Sequence, residues 1–405
     1  MRILTIHTYY RQPGGEDEVV AAEADLLRRR GHKVTTVAFR NDDLLEMPPW
    51  AHVGRLLWNG EAVREVRSAI RSERPAVVHV HNTFAAASPA VIRAASDEGV
   101  PVVVSLHNPR LICPSANFHR QAALCVSCLR WGSYVPGVVR GCYHGSRLET
   151  LGVALTNSVH WWAGTWDRVT KYVVFTDFYR RLFERGGLPA EKLVVKPHFI
   201  PDPRNALSDF GHSCRQARKM ALFVGRLDPE KGVSTMLHAW AILKSRGIHC
   251  PLRVRGEGRL LDWARKFVAT ERLPIEFIER VSKSDLYRLM MASEFLVWPS
   301  EGWYETFGLV VAEAFACGTP AVAAATGVGL TMISDGRTGL HFRPGDAEDL
   351  AAKVEWLLAH AEDLARMRRE ARAEYEAKYT AERNYEMLMR IYEEAIEAHR
   401  RRAEA

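Results

Sequence analysis

Two doubly wound α/β domains in tandem are what this sequence predicts, on three observations. Strand-like runs of four to eight residues alternate with helix-periodic segments along the chain, the pattern of a parallel sheet wrapped by helices. The alternation lapses once, in a proline-bearing stretch near the middle, and then restarts. The length of 405 residues exceeds what one core usually serves, and 47% apolar residues can fill two.

The elements follow in order. Residues 2–7, "RILTIH", read as a strand, and "EDEVVAAEADLLRRRG" carries apolar residues at helical spacing with Gly31 as its stop. "KVTTVAF", "AVVHVHN", "PVVVSLHN" and "KYVVFT" read as further strands, each with a helical pattern beside it. The stretch 197–218 holds three prolines and little periodicity, so it is the expected linker. A second series then runs through "MALFVGR", "PLRVRGEG", "IEFIER", "EFLVWPS" and "PAVAAA". The expected domains are 1–198 and 199–381, with an amphipathic terminal helix over 382–405 packing on one of them, the first being the candidate.

Bulk properties narrow the function. The apolar runs fall short of the ~20 residues that span a bilayer, and "MRILTIHTYY" lacks the apolar core of a signal peptide, so a cytoplasmic protein is expected. An excess of seven positive charges favours anionic partners such as phosphates or acidic lipid, but it is too diffuse to argue for nucleic acid. Ligands of doubly wound sheets bind where the strands end, which places the expected site in a cleft between the two domains.

In "FVGRLDPEKG" a strand ends at Gly225, and Arg226 and Lys231 follow in a loop. A planar fork and a mobile point charge make a complementary pair for a pyrophosphate. In "PSEGWYETFGLVVAEAFACGTP", Glu305 and Glu313 stand eight residues apart. Thr306 is the expected N-cap, Gly308 lets a ligand approach the backbone, and the helix ends at Gly318. Its start offers free N–H groups to an anion. Eight helical residues rise ~12 Å and Glu305 precedes the helix, so the two acids are not a pair of hydrolytic carboxylates. Glu305 can serve sugar hydroxyls and Glu313 a ribose diol, while the plain alternative pairs each with the helix dipole or a cation.

Together "GRLDPEKG", "RGEGRL", "EGWYETFGLVVAEAFACGTPAVA" and "DGRTGLHFRPGD" resemble the donor half of glycosyltransferase family 4, retaining enzymes of GT-B fold, over residues 220–350. Glu305 and Glu313 match that family's E-x7-E signature. The resemblance implies that Arg226 and Lys231 hold the diphosphate, Glu305 the sugar and Glu313 the ribose. It also implies backbone contacts to the phosphates at Phe307, Gly308 and Leu309, a nucleotide-facing turn at Gly256 and Gly258, and a base seat at Arg280 and Val281. "RQPGGEDEVV" resembles the glycine loop after the family's first strand, with Gly14 and Gly15; Glu16, Asp17 and Glu18 would repel a phosphate there, so the loop is read as shaping the acceptor side and closing over the donor. His107, ending "VVVSLH", matches the histidine that touches the donor sugar in the family; His81 is second, and Glu16, His81 and Asn108 are the acceptor-side candidates.

No D-x-D is present, so no catalytic metal is expected. The expected activity is metal-independent, retaining transfer of a sugar from a nucleotide-diphosphate sugar, with uridine as the expected base, to a hydroxyl of a glycan, lipid-linked or small-molecule acceptor. The rival readings are a nucleotide-sugar epimerase of similar fold and a sugar-nucleotide-binding protein without turnover. Cys113, Cys125, Cys128 and Cys142, spaced C-x11-C-x2-C-x13-C, suit a structural zinc or, alternatively, buried thiols. "WGSYVPGVVRG" and "VHWWAGTWDRVTKY" crowd aromatics among Arg and Lys, compatible with peripheral contact at the inner face of a membrane or with plain packing.

Overall fold

The computed structural model describes residues 1–11, 14–44, 54–120, 123–207, 220–303 and 305–404. The chain divides into two compact units. The first is Met1–Asn117, Val126–Lys196 and Asn384–Ala405; the second is Phe118–Cys125 and Pro197–Arg383.

The first unit is built on a parallel sheet of β1 (Arg2–Tyr9), β2 (Lys33–Arg40), β3 (Val77–Val80), β4 (Val102–Ser105), β7 (Lys171–Val174) and β8 (Leu193–Val195), in the order β2-β1-β3-β4-β7-β8. The central strands read VVHV and VVVS and are buried throughout, as β-branched strands covered on both faces should be. Helix Gly15–Arg29 starts at Gly14, whose N–H donates to Asp17 Oδ2 at 3.0 Å, and ends on Arg28 and Arg29, cations suited to the negative end of its dipole. Its buried face carries Val20, Glu23, Ala24 and Leu27, the spacing of one helical stripe with a carboxylate set into it. The terminal helix Ala381–Glu404 belongs to this unit from Asn384 onward. It buries Leu388, Ile391, Tyr392 and Ala395, and Tyr392 Oη lies 2.8 Å from His79 Nδ1.

The second sheet, also parallel, contains β9 (Ala221–Val224), β10 (Leu252–Arg255), β11 (Ile275–Ile278), β12 (Phe295–Trp298), β13 (Ala321–Ala324) and β14 (Gly339–Phe342), in the order β11-β10-β9-β12-β13-β14. Its core includes Phe223, Met236, Trp240 and Phe295, and Trp240 donates its indole N–H to Cys250 O at 2.7 Å, so the ring is buried with its polar atom satisfied. The winding direction reverses between β9 and β12, which makes that pair the topological switch point.

Three features differ from the sequence reading. The edge strands β8 and β14 were not expected; at three and four residues they are too short to show a period. The hairpin of β5 (His119–Arg120) and β6 (Ala123–Leu124) lies within the segment that groups with the second unit, where Phe118 packs edge-on against Trp303 with ring centroids 5.9 Å apart. The expected linker contains a short helix, Pro203–Ala206, capped by Asp202; its residues 208–218 lie outside the described residues.

Candidate active site

All six strands of the second sheet run the same way, so the loops after β9, β10, β11 and β12 leave from one edge. The first two loops are tied by backbone bonds. Gly225 N donates to Arg255 O at 3.1 Å, Leu227 N to Glu257 O at 2.8 Å, and Leu260 N to Leu227 O at 2.8 Å. A Cβ on Gly256 would stand 1.8 Å from Gly225 O, so only glycine allows this approach. Gly258 sits at the same crossing.

Lys231 closes the 3-10 turn Pro229–Lys231, and Glu301 N donates to Glu230 O at 3.1 Å, joining that turn to the loop after β12. The junction sets Lys231 Nζ on Glu305 Oε1 as an ion pair. Arg226 is half exposed, its guanidinium 2.9 Å from Asp228 Oδ2 and 3.5 Å from Glu230 Oε1. Burial alone would raise the Asp228 carboxyl, but hydrogen bonds from Arg259 and the charge of Arg226 more than offset it and hold the group below its ordinary range. The buried acids Asp228 and Glu230 thus orient two arginines, a supporting layer missed by sequence reasoning although both lie inside "RLDPEKG".

The expected N-cap at Thr306 is corrected: helix Leu309–Ala316 is capped by Gly308, at φ +93, where a Cβ would meet the Trp298 ring at 2.8 Å. Trp298 therefore fixes how close the chain passes at the helix start. Phe307 is buried, its ring edge-on to His198 and Tyr379 at centroid distances of 5.2 and 5.6 Å. Glu313 is buried on the helix and its carboxylate is paired with Lys283. Each signature acid thus holds a lysine. Arg280 and Val281 lie between β11 and Ser282, the N-cap of helix Lys283–Ala292. Tyr304, within the same motif, lies outside the described residues.

In the first unit, His81 follows β3 and His107 follows β4 by two residues, and the adjacent strands bring His81 Nδ1 within 3.1 Å of His107 Nε2. Asn82, Asn108 and Arg110 line the same cavity of about 70 Å³ with these two histidines. Asn108 Nδ2 donates to Tyr10 Oη at 3.3 Å, and the Arg110 guanidinium lies 4.1 Å from the Phe84 ring centroid. Beneath the cavity the buried Lys196 Nζ contacts Glu23 Oε2 at 2.7 Å and Asn384 Oδ1 at 3.3 Å. Burial would raise Glu23, and Lys196 and His81 reverse that, leaving it below its ordinary value. Burial drives His79 down to about 3 and His81 and His107 well below 6.5, with neighbouring cationic groups adding to the effect, so all three are neutral at pH 7. A carboxylate only accepts, so Glu23 Oε1, 3.5 Å away, favours the tautomer of His81 with its proton on Nε2. In that tautomer His81 Nδ1 accepts from His107 Nε2–H, which puts the His107 proton on Nε2. Glu23, Lys196 and Arg110 were not singled out in the sequence, because a Glu on a helix face and a lone Lys carry no motif.

Gly14 is the helix N-cap, in extended conformation, and Gly15 is its first residue; Gln12 and Pro13 lie outside the described residues. Asp17 faces inward to His7 Nε2 at 2.8 Å, so this acid of the turn is structurally engaged. Among the described residues Glu16 Oε1 is buried without a hydrogen-bond partner, and burial raises its carboxyl to about 8 against an opposing hydrogen bond from Tyr10. Because the folded-state value lies above the unfolded one, this group's contribution is fully present below pH ~4.5, is lost as pH rises, and is gone above about 8. Glu16→Gln should therefore match the native chain at pH 5 and melt several degrees higher at pH 9; equal melting curves at both pH values would remove the raised carboxyl.

Among the described residues, the group of His, Cys, Asp and Glu ligand atoms close enough to hold a metal ion is Glu23, His79 and His81, where Lys196 already supplies the positive charge. The cysteines of the zinc expectation are not in that group. Cys113 is buried with its Sγ 3.2 Å from Ser115 Oγ, Cys125 follows β6, Cys128 lies in helix Ser127–Trp131, and Cys142 follows helix Val135–Arg140.

Two parallel, doubly wound units with loops of this kind at the switch point define the GT-B class. The family model described as "Glycosyltransferase Family 4" matches residues 13–204, and that described as "Glycosyl transferases group 1" matches 208–374. The chain belongs to glycosyltransferase family 4. It is similar to D-inositol 3-phosphate glycosyltransferase of Mycobacterium marinum, 34% identical over 50% of this chain and 43% of that protein. It is also similar to alpha-D-kanosaminyltransferase of Streptomyces kanamyceticus, 26% identical over 85% and 83%. The match thus spans less than half of the first of these relatives. Among solved structures, sucrose-phosphate synthase of Thermosynechococcus elongatus aligns with TM-score 0.69 at 17% identity, covering 98% of this chain and 99% of that one. Anabaena HepE in complex with UDP and glucose aligns with TM-score 0.64 at 16% identity, covering 96% and 98%. At these identities the structures speak for the fold alone. No helix among the described residues is long and apolar enough to cross a membrane.

Proposed function

We propose that this chain transfers a sugar, with retention of anomeric configuration, from a uridine-diphosphate sugar to a hydroxyl group of an acceptor. The observation that carries the reading is the convergence of Arg226, Lys231 and the start of helix Leu309–Ala316 beside Glu305 and Glu313 at the switch point of the second sheet. Two cations and free helix N–H groups suit a diphosphate. Glu305 and Glu313 suit hydroxyls on the two sides of it, the sugar and the ribose. The uridine base is supported by the HepE complex, whose bound nucleotide is UDP.

In the proposed reaction the acceptor oxygen attacks the anomeric carbon on the face from which the diphosphate leaves. The bond from that carbon to the phosphate oxygen breaks, the new glycosidic bond forms, and the departing phosphate oxygen takes the acceptor's proton. Arg226, Lys231 and the helix start stabilise the charge that collects on the phosphate. No side chain becomes a covalent nucleophile.

A thermal-shift series with uridine, guanosine and adenosine diphosphates tests the donor. A ligand at a hundred times its Kd raises stability by ~2.7 kcal/mol, so UDP should lift the melting temperature by several degrees and the other two by less. No shift with any diphosphate would overturn the site; a larger shift with guanosine or adenosine would overturn the base. The anomeric configuration of the product, read by proton NMR against that of the donor, tests retention.

A further inference from the structure

Helix Arg147–Trp162 is built inside out. The face turned into the first unit buries Thr150, Gly152, Thr156, Asn157 and His160 along with Val153 and Ala154, whereas Leu148, Leu151, Leu155, Val159 and Trp162 are exposed. Those five recur at intervals of three to four residues, so they form one continuous ridge along the helix. Two of them are the barest large apolar side chains among the described residues, Leu148 at 80% and Trp162 at 91% exposure. Soluble surfaces scatter single apolar residues, but a helix that hides its polar face and shows its apolar one has a partner other than water.

The ridge is not isolated. Helices Ser127–Trp131 and Val135–Arg140 expose Trp131, Val135 and Val139. Val135, Val139, Leu151, Leu155 and Trp162 also line one cavity of about 700 Å³. The two apolar surfaces therefore face a common groove. Charge on these three helices is one-sided: Arg130, Arg140 and Arg147 stand against a single acid, Glu149, which His144 already contacts at 2.8 Å. Arg185 borders the groove from helix Asp177–Arg185.

We propose that this face docks on an anionic phospholipid bilayer, with Leu148, Leu151, Leu155, Val159 and Trp162 seated among the acyl chains and the arginines among the headgroup phosphates. Exposed leucines flanked by arginines and ended by tryptophan match an interfacial helix: the apolar ridge enters the headgroup boundary, Trp131 and Trp162 sit at the level aromatic rings prefer, and the cations answer the negative lipid surface. A protein partner or a second copy would have to present an apolar, acidic face, and nothing on these helices offers one to its own twin, because the groove rim is basic.

The test is co-flotation of the full-length chain with vesicles of phosphatidylcholine alone or mixed equally with phosphatidylglycerol. The chain should float with the anionic vesicles and not with the neutral ones, and 0.5 M salt should weaken the association, since salt screens the arginine contribution. Leu155→Glu combined with Val159→Glu should lower the bound fraction at least tenfold with an unchanged melting temperature, both positions being exposed. Leu358→Glu, exposed on helix Ala347–Ala359 of the second unit, should float like the native chain. Failure of the native chain to float, or equal flotation of the double variant, would overturn the proposal. So would light scattering that shows a native dimer reduced to monomer by the double variant without lipid binding, since the face would then be a contact between copies.

Discussion

Lys231→Ala should lower kcat by ~10²-fold or more, the scale of losing one preorganised contact to developing transition-state charge. The geometry says why a neighbour will not substitute. Lys231 Nζ is mostly buried at the junction of the β9 and β12 loops, with only 11% of its side chain exposed. Arg226 is further out and already held by Asp228 and Glu230, whose second partner is Arg259. Moving Arg226 onto the phosphate vacated by Lys231 would leave two buried acids with Arg259 as their single cation. The charge on the leaving phosphate grows as the bond to the anomeric carbon breaks, so a point charge placed there acts more on the transition state than on the bound donor. The loss should therefore fall on kcat with a smaller change in KM. Glu305 loses its cation in the same variant, yet it is partly open to water, so the chain should still fold and a melting curve checks that it does. Steady-state rates at saturating donor decide the matter: kcat within a factor of a few of the native value would remove Lys231 from the reaction.

Most of the scaffold was legible in the residues because central parallel strands advertise themselves. "AVVHVHN" and "PVVVSLHN" are runs of β-branched residues that only a strand covered on both faces explains, and they became β3 and β4. "GLHF" and "LVV" carry no such signal, since an edge strand of three or four residues pairs on one side and is specified by its neighbour. The motif residues of the second unit were legible because glycine and charge at fixed offsets leave few structural reasons for being there. Gly256 needs its lack of a Cβ for contact with Gly225, a close approach that joins two motifs read separately. Thr306 misled because a threonine before an apolar run looks like a cap; the cap fell to Gly308, where the Trp298 ring leaves no room for a side chain. The buried charges of the first unit were not legible at all. Glu23 reads as a surface residue of a polar helix, and only the fold brings Lys196, 173 positions away, to its carboxylate.

That pair carries the second large effect. Lys196→Met should destabilise the chain by ~3–5 kcal/mol, the cost of leaving a buried charge without its partner. Both side chains are almost wholly buried, at 1% and 5% exposure, so water does not take over the role of the ammonium. Glu23→Gln added to Lys196→Met should restore most of the loss, because a neutral amide needs no counter-charge and its carbonyl still accepts from His81 Nε2. The single variant has a second, more diagnostic signature. Burial holds His81 down most, Lys196 is among the charges that add to it, and Glu23 pulls the other way. Removing the lysine takes away one charge that opposes protonation and leaves Glu23 without its ammonium, so the proton affinity of His81 should rise, and its imidazole is the group placed to take on positive charge. A protonated His81 donates from both nitrogens, so it can no longer accept from His107 Nε2–H, and His107 is forced to the other tautomer. Nitrogen-15 spectra of the histidine rings resolve this: the native chain should show His107 protonated at Nε2, and Lys196→Met should move that proton to Nδ1. Unchanged His107 signals in a variant that has lost stability would mean that Lys196 and Glu23 serve packing alone and do not set the proton position at the strand end where the donor sugar is expected.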